Sequence, residues 1–165
     1  MKPALLVIDI QKAWLDETPA LKESVEKRID VMNGAIRWFR EKELPLIVIY
    51  HEAKDRGVLP GTPGFEFVPA VQIKHDDTKV TKTYPNSFNK TGLDSMLRKL
   101  GCDAVVIVGL SASGCALATF FGAIDYDINP IMVKGGVASH SEEHVHLVED
   151  LCEAIGLEEF DRKLL

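Results

Sequence analysis

Cysteine is scarce in this 165-residue sequence. Cys102, Cys115 and Cys152 are odd in number, widely spaced and without a Cys-x-x-Cys pair, so neither a disulfide framework nor a zinc knuckle is predicted. Long apolar runs are also missing. The longest, at 4–8 and 104–110, fall far short of the roughly 20 residues that cross a bilayer. The N-terminus has one lysine and then a short run that meets Asp9, which is not the pattern of a signal peptide. A cytoplasmic protein without membrane contact is expected. Positive charge is not in excess: 19 Lys and Arg against 25 Asp and Glu give a formal charge of −6, with the signs interspersed. That argues against a nucleic-acid partner. With 46% hydrophobic residues, disorder is excluded. A chain of this length buries about 70% of its unfolded surface, and one domain over 1–165 is expected.

What is present is an alternation of strand and helix patterns. Residues 4–8, Ala-Leu-Leu-Val-Ile, form a continuous apolar run of the kind buried on both faces of a parallel sheet. Leu21, Val25, Ile29, Met32, Ile36 and Phe39 recur with the 3.6-residue period of one amphipathic helix over about 21–40. Strands are predicted at 46–50, 78–82, 104–108 and 129–133, and helices at about 93–100, 114–127 and 139–155. Gly101 suits a helix C-cap, and Ser139 and Glu142 have capping-box spacing. Residues 52–77 carry Gly57, Pro60, Gly61, Pro63, Gly64 and Pro69 and show no period. Loops this long are usually functional or disordered, and Phe65, Phe67, Val68 and Val71 favour an ordered lid or a subunit contact. No sixth strand is evident. The pattern predicts an α/β fold, a three-layer α/β/α sandwich with a mostly parallel sheet in Rossmann-like order. Ligands then bind at the carboxyl ends of the strands, where strand order reverses.

Three reactive side chains fall at that edge: Asp9 after the first strand, Lys82 after the third, and Cys115 on the turn after the fourth. In the first turn of a helix, with a lysine nearby, Cys115 is expected to favour the thiolate. Singly, each has a bland reading as a cap, a solvated strand end or a small buried hydrophobe.

Together the segments around them resemble the isochorismatase-like cysteine hydrolases, a superfamily that includes nicotinamidases, N-carbamoyl amidohydrolases and isochorismatases. The match runs nearly end to end. Leu5-Leu6-Val7-Ile8-Asp9-Ile10-Gln11-Lys12-Ala13-Trp14 is similar to the opening strand, Lys82-Thr83-Tyr84-Pro85-Asn86-Ser87-Phe88 to the lysine segment, and Val108-Gly109-Leu110-Ser111-Ala112-Ser113-Gly114-Cys115 to the nucleophile turn. The resemblance implies an Asp9, Lys82, Cys115 triad that cleaves a C–N bond of a small amide, carbamoyl or imide through an acyl thioester. It also implies a cis peptide at Leu110–Ser111, an oxyanion hole from the Ser111 and Cys115 amides, and Gln11 and Trp14 at the substrate pocket. A sixth strand and a homo-oligomer, a dimer or tetramer, are implied too. Phe65, Phe67 and the small-residue helix 116–123 are candidate contact surfaces.

The pattern departs in two places. Metal-using nicotinamidases carry Asp-x-His after the second strand, where this chain reads Tyr50-His51-Glu52-Ala53. His51 and His75 alone make a weak ligand set, so no metal and no cofactor is expected. Ala112 stands where many members have Thr, which leaves a non-catalytic binding or scaffold domain as the alternative reading. His140 and His144, at i,i+4 spacing, read as a solvated helix start. Lys134-Gly135-Gly136 reads as a turn.

Overall fold

A computed structural model describes all of residues 1–165. Five strands, β1 (Pro3–Ile8), β2 (Leu46–His51), β3 (Thr78–Lys82), β4 (Ala104–Leu110) and β5 (Asn129–Ala138), form one sheet in the order β3-β2-β1-β4-β5. Every neighbouring pair is parallel. The β1 run is buried at all six positions. Its alternate residues serve two cores: Leu5 and Val7 face one, while Ala4, Leu6 and Ile8 face the other.

Seven helices cover the two faces. The first core packs under α1 (Lys12–Leu15), α2 (Pro19–Glu26), α3 (Ile29–Glu41) and, near the C-terminus, α7 (Phe160–Lys163). The second packs under α4 (Leu93–Lys99), α5 (Leu117–Ile124) and α6 (Glu142–Leu151). This is the predicted three-layer α/β/α sandwich. Strand order reverses beside β1, because the chain runs through β2 to β3 on one side and then crosses back to β4 on the other, so the ligand crevice of such folds falls at the carboxyl ends of β1 and β4.

Several boundaries differ from expectation, each for a local reason. The single helix predicted over 21–40 is two, α2 and α3. Thr18 caps α2 through its hydroxyl, with Pro19 at the first turn. The break falls at Arg28, whose guanidinium turns inward to the Ser24 carbonyl and hydroxyl and to Glu142. Apolar periodicity continues across the break, so the pattern does not reveal it. The final strand is longer than 129–133: a register shift lets Lys134-Gly135-Gly136 pass within β5 as a bulge, with Gly135 at φ 71. The last helix starts at Glu142 with Ser141 as its N-cap, and neither Ser141 nor Ser139 caps it through a side chain. The Ser139 amide donates instead to the Ser24 hydroxyl. The sixth strand is reduced to one parallel bridge between Val133 and Ile155.

Residues 52–77 are an ordered loop with 3₁₀ turns at Lys54–Arg56 and Pro63–Phe65. Phe65 stacks on Tyr50 at 4.9 Å and Phe67 tilts against it at 4.7 Å. Phe67 also bridges to Gln11. Both phenylalanines are buried in their own chain, so of the candidate contact surfaces these two have little area left to offer a partner.

Candidate active site

Four adjacent strands each deliver one side chain to a single point. Asp9 follows β1, His51 ends β2, Lys82 ends β3 and Cys115 lies on the turn after β4. Lys82, fully buried, donates from Nζ to Asp9 Oδ2 at 2.9 Å and to Cys115 Sγ at 3.2 Å, and it meets His51 Nδ1 at 3.1 Å. An ammonium has three N–H donors and no acceptor, so these three partners saturate it. Asp9 sits in the left-handed region at φ 56, a conformation Asp tolerates better than most residues and one that gathers at functional sites. Its Oδ1 is buried with no hydrogen-bond partner.

Sequence reasoning placed Asp9, Lys82 and Cys115 here and the structure brings all three together. It missed His51 as a neighbour of theirs. The signal was available: a polar residue closing an otherwise apolar strand at the same sheet edge.

The turn after β4 differs from a simple helix start. Leu110–Ser111 is a cis peptide. Residues Ala112–Ala116 form a π-type turn kinked at Gly114, and regular helix begins only at Leu117. Cys115 therefore precedes α5 rather than opening it. The Ser111 amide meets no acceptor in the chain, and Ser111 lines the same cavity as Cys115. Burial first, and then the Asp9 charge, push the Cys115 thiol up to about 12, against the pull of Lys82. This corrects the expectation of a resting thiolate: desolvation of the anion outweighs one ammonium.

A cavity of about 570 Å³ opens over the cluster, lined by Asp9, His51, Ser111 and Cys115 on its floor and by Trp14, Lys54, Arg56 and His140 among its walls. That is the size of a small-molecule pocket. Trp14 lines one wall of the cavity, with Arg56 4.9 Å over its ring and paired to Glu17. Residues 53–56 make the start of the long loop one side of the cavity. Gln11, expected at the pocket, lies behind the wall and is fully buried. Its amide accepts from the His51 N–H at 2.8 Å and the Trp14 indole at 3.1 Å, and donates to the His51 carbonyl at 3.1 Å. Gln11 thus holds the strand end that carries His51.

Ligand atoms of Asp9, His51 and Cys115 lie within 4.8 Å of one another, a mixed O, N and S donor set. The residues nevertheless do not suit a metal, because the Lys82 ammonium already stands among the three. His75 is exposed in the loop and takes no part. His140 lies at the cavity and stacks edge-on with His144, which meets the Ser113 hydroxyl at 3.3 Å.

The model of the isochorismatase domain matches residues 3–158. The chain belongs to the isochorismatase family. Among its curated relatives, maleamate amidohydrolase of Pseudomonas putida is 26% identical over 163 residues, covering 87% of this chain and 76% of the relative. Nicotinamidase 3 of Arabidopsis thaliana is 28% identical over 155 residues, covering 85% and 75%. Among solved structures, N-carbamoylsarcosine amidase of Thermoplasma acidophilum superposes with a TM-score of 0.78 at 26% identity, over 94% of this chain and 95% of that one. The chain is accordingly a hydrolase of the isochorismatase family. Its departures from the resemblance are the reduced sixth strand, the missing aspartate of the Asp-x-His pair after β2, and Ala112 in the turn after β4.

Proposed function

We propose that this isochorismatase-family hydrolase cleaves a C–N bond of a small amide, carbamoyl or imide compound through an acyl thioester on Cys115. The observation that carries the reading is the buried Lys82 ammonium bridging Asp9 and Cys115, both of which line a small-molecule cavity. The relatives named for amide hydrolysis point to the same chemistry.

In this mechanism the resting thiol is neutral, so a base must act when substrate arrives. Asp9 takes the thiol proton through the free Oδ1, and Sγ attacks the carbonyl carbon. The Ser111 and Cys115 amides hold the oxyanion, and the proton on Asp9 passes to the departing nitrogen as the C–N bond breaks. Water then gives a proton to Asp9 and its hydroxyl to the thioester, the C–S bond breaks to release the acid, and Asp9 returns the proton to Sγ, which restores the thiol. Lys82 keeps Asp9 and Sγ in line and stabilises the transient thiolate. The two amides, the triad and the Trp14 wall form one site within one domain. No metal or cofactor enters these steps.

We also place the enzyme in the cytoplasm, where thiols stay reduced as the three free cysteines here are, and as a homo-oligomer. The test is ammonia release from a panel holding maleamate, nicotinamide and N-carbamoylsarcosine, with Cys115→Ala alongside. A thiol and a methyl differ little in volume, so the variant should fold and show no turnover. A variant as active as the parent would sink the mechanism.

A further inference from the structure

We propose that His51 is a substrate-facing hydrogen-bond donor: Lys82 fixes its neutral tautomer with the proton on Nε2, and that N–H selects small amides bearing a hydrogen-bond acceptor beside the scissile carbonyl. The inference rests on the hydrolase reading above and deepens it by naming a feature of the substrate.

Lys82, ion-paired with Asp9 at 2.9 Å, can only donate, and it lies 3.1 Å from His51 Nδ1. The Cys115 thiol, the other close group, is 3.6 Å from the same nitrogen and is also a donor when neutral. Asp9 Oδ2 could accept from a protonated Nδ1, but at 3.6 Å it is too far for an N–H···O bond and is already taken by Lys82. Nδ1 is therefore the acceptor, and a neutral imidazole with one accepting nitrogen carries its proton on the other.

Nε2 has no acceptor in the chain: the only polar contacts of the His51 side chain are those of Nδ1. It is not among the buried polar atoms left without partners, and the residue lines the cavity. An open N–H thus stands beside the nucleophile. The donor is held in place before any ligand arrives, because Gln11 clamps both backbone groups of His51 and the Trp14 ring packs 5.7 Å from the imidazole. A site built around such a donor discriminates against ligands that leave it unpaired. The scissile oxygen is expected at the β4 side, with Ser111, whereas His51 comes from β2 on the far side of Asp9. The acceptor met by Nε2 is then a second atom of the substrate: a carboxylate oxygen, a carbonyl oxygen or a ring nitrogen.

Two readouts test this in the intact protein. Long-range ¹H–¹⁵N correlation on histidine-labelled protein near neutral pH should show His51 with bare Nδ1 and protonated Nε2, the signals assigned by their loss in His51→Asn. A proton on Nδ1 would overturn the inference. The second readout is the ratio of iodoacetate to iodoacetamide alkylation at Cys115, since a carboxylate accepts more strongly than an amide carbonyl. His51→Gln keeps an N–H near the Nε2 position, whereas His51→Asn keeps an acceptor for Lys82 and places nothing at Nε2. The ratio should fall about tenfold in the Asn variant, the worth of one charge-assisted bond, and hold within about threefold in the Gln variant. One ratio shared by all three proteins would contradict the assignment. Failure of the hydrolase reading appears separately, as an active Cys115→Ala enzyme.

Discussion

Two residues at the β1–β4 junction show how narrowly the site is specified. Gly109 has φ 124, and a Cβ there would be driven into the carbonyl of Ile8, its partner across the sheet. Gly109→Ala should cost about 3 kcal/mol or more, in the upper range of single substitutions, seen as a fall in the denaturation midpoint. Cys115, five residues beyond the end of β4, is buried enough to stay a thiol, and Asp9 beside it strengthens that preference. Of the residue-level facts, the identities of Asp9, Lys82 and Cys115 were legible because each follows or closes a predicted strand at one sheet edge, in segments that resemble one family. The thiol's resting state was not legible. It depends on how far Sγ is desolvated and how near Asp9 lies, and neither follows from spacing.

At the scale of elements, the strands were the most legible feature, since β1 and β4 are buried on both faces and read as unbroken apolar runs. Helix limits were less so, because caps and breaks are set by single contacts made across the fold. Arg28 is the clearest case: it ends the α2 segment and pairs with Glu142 at the start of α6, 2.6 Å away. The guanidinium holds the Glu142 carboxyl below the ordinary carboxylate range. A carboxyl depressed in the folded state adds stability above its unfolded value, about 4.3, and loses it as pH falls through the folded value. Glu142 is half exposed, so the pair is worth under about 1 kcal/mol. Glu142→Gln should be slightly less stable than the parent at neutral pH, and the difference should vanish in acid, as read from urea midpoints at several pH values. Gln11 shows the same limit on sequence reading. Its residue type and place in the motif suggested a pocket wall, but both of its amide atoms are used inside the protein.

For the whole molecule, the alternation of strands and helices was enough to predict the sandwich and the edge that carries the site. The loop at 52–77 was legible as ordered, through its apolar residues, but the partner those residues pack against, Tyr50 of β2, lies outside any local pattern. Among the large apolar side chains left on the surface are Phe121 and Ile124 on α5 and Leu147 and Leu151 on α6, two helices of the same face of the sheet. They are the surface on which the proposed oligomer would form, since burying large apolar groups drives association. Light scattering coupled to size exclusion should give a multiple of 18.3 kDa, and Phe121→Asp with Ile124→Asp should return the 18.3 kDa species. A parent of 18.3 kDa would remove the oligomer from the account.

The central claim is that Cys115 is a nucleophile governed by Asp9 and Lys82, and the pH dependence of its alkylation by iodoacetamide tests it most directly. Peptide mapping separates Cys115 from Cys102 and Cys152, whose thiols burial also raises. The account predicts slow labelling of Cys115 at neutral pH, rising only well above the free-thiol value of about 8.5. In Asp9→Asn the curve moves to lower pH, because removing the carboxylate leaves Lys82 to favour the thiolate. A parent curve centred at the free-thiol value and unmoved in Asp9→Asn would contradict it.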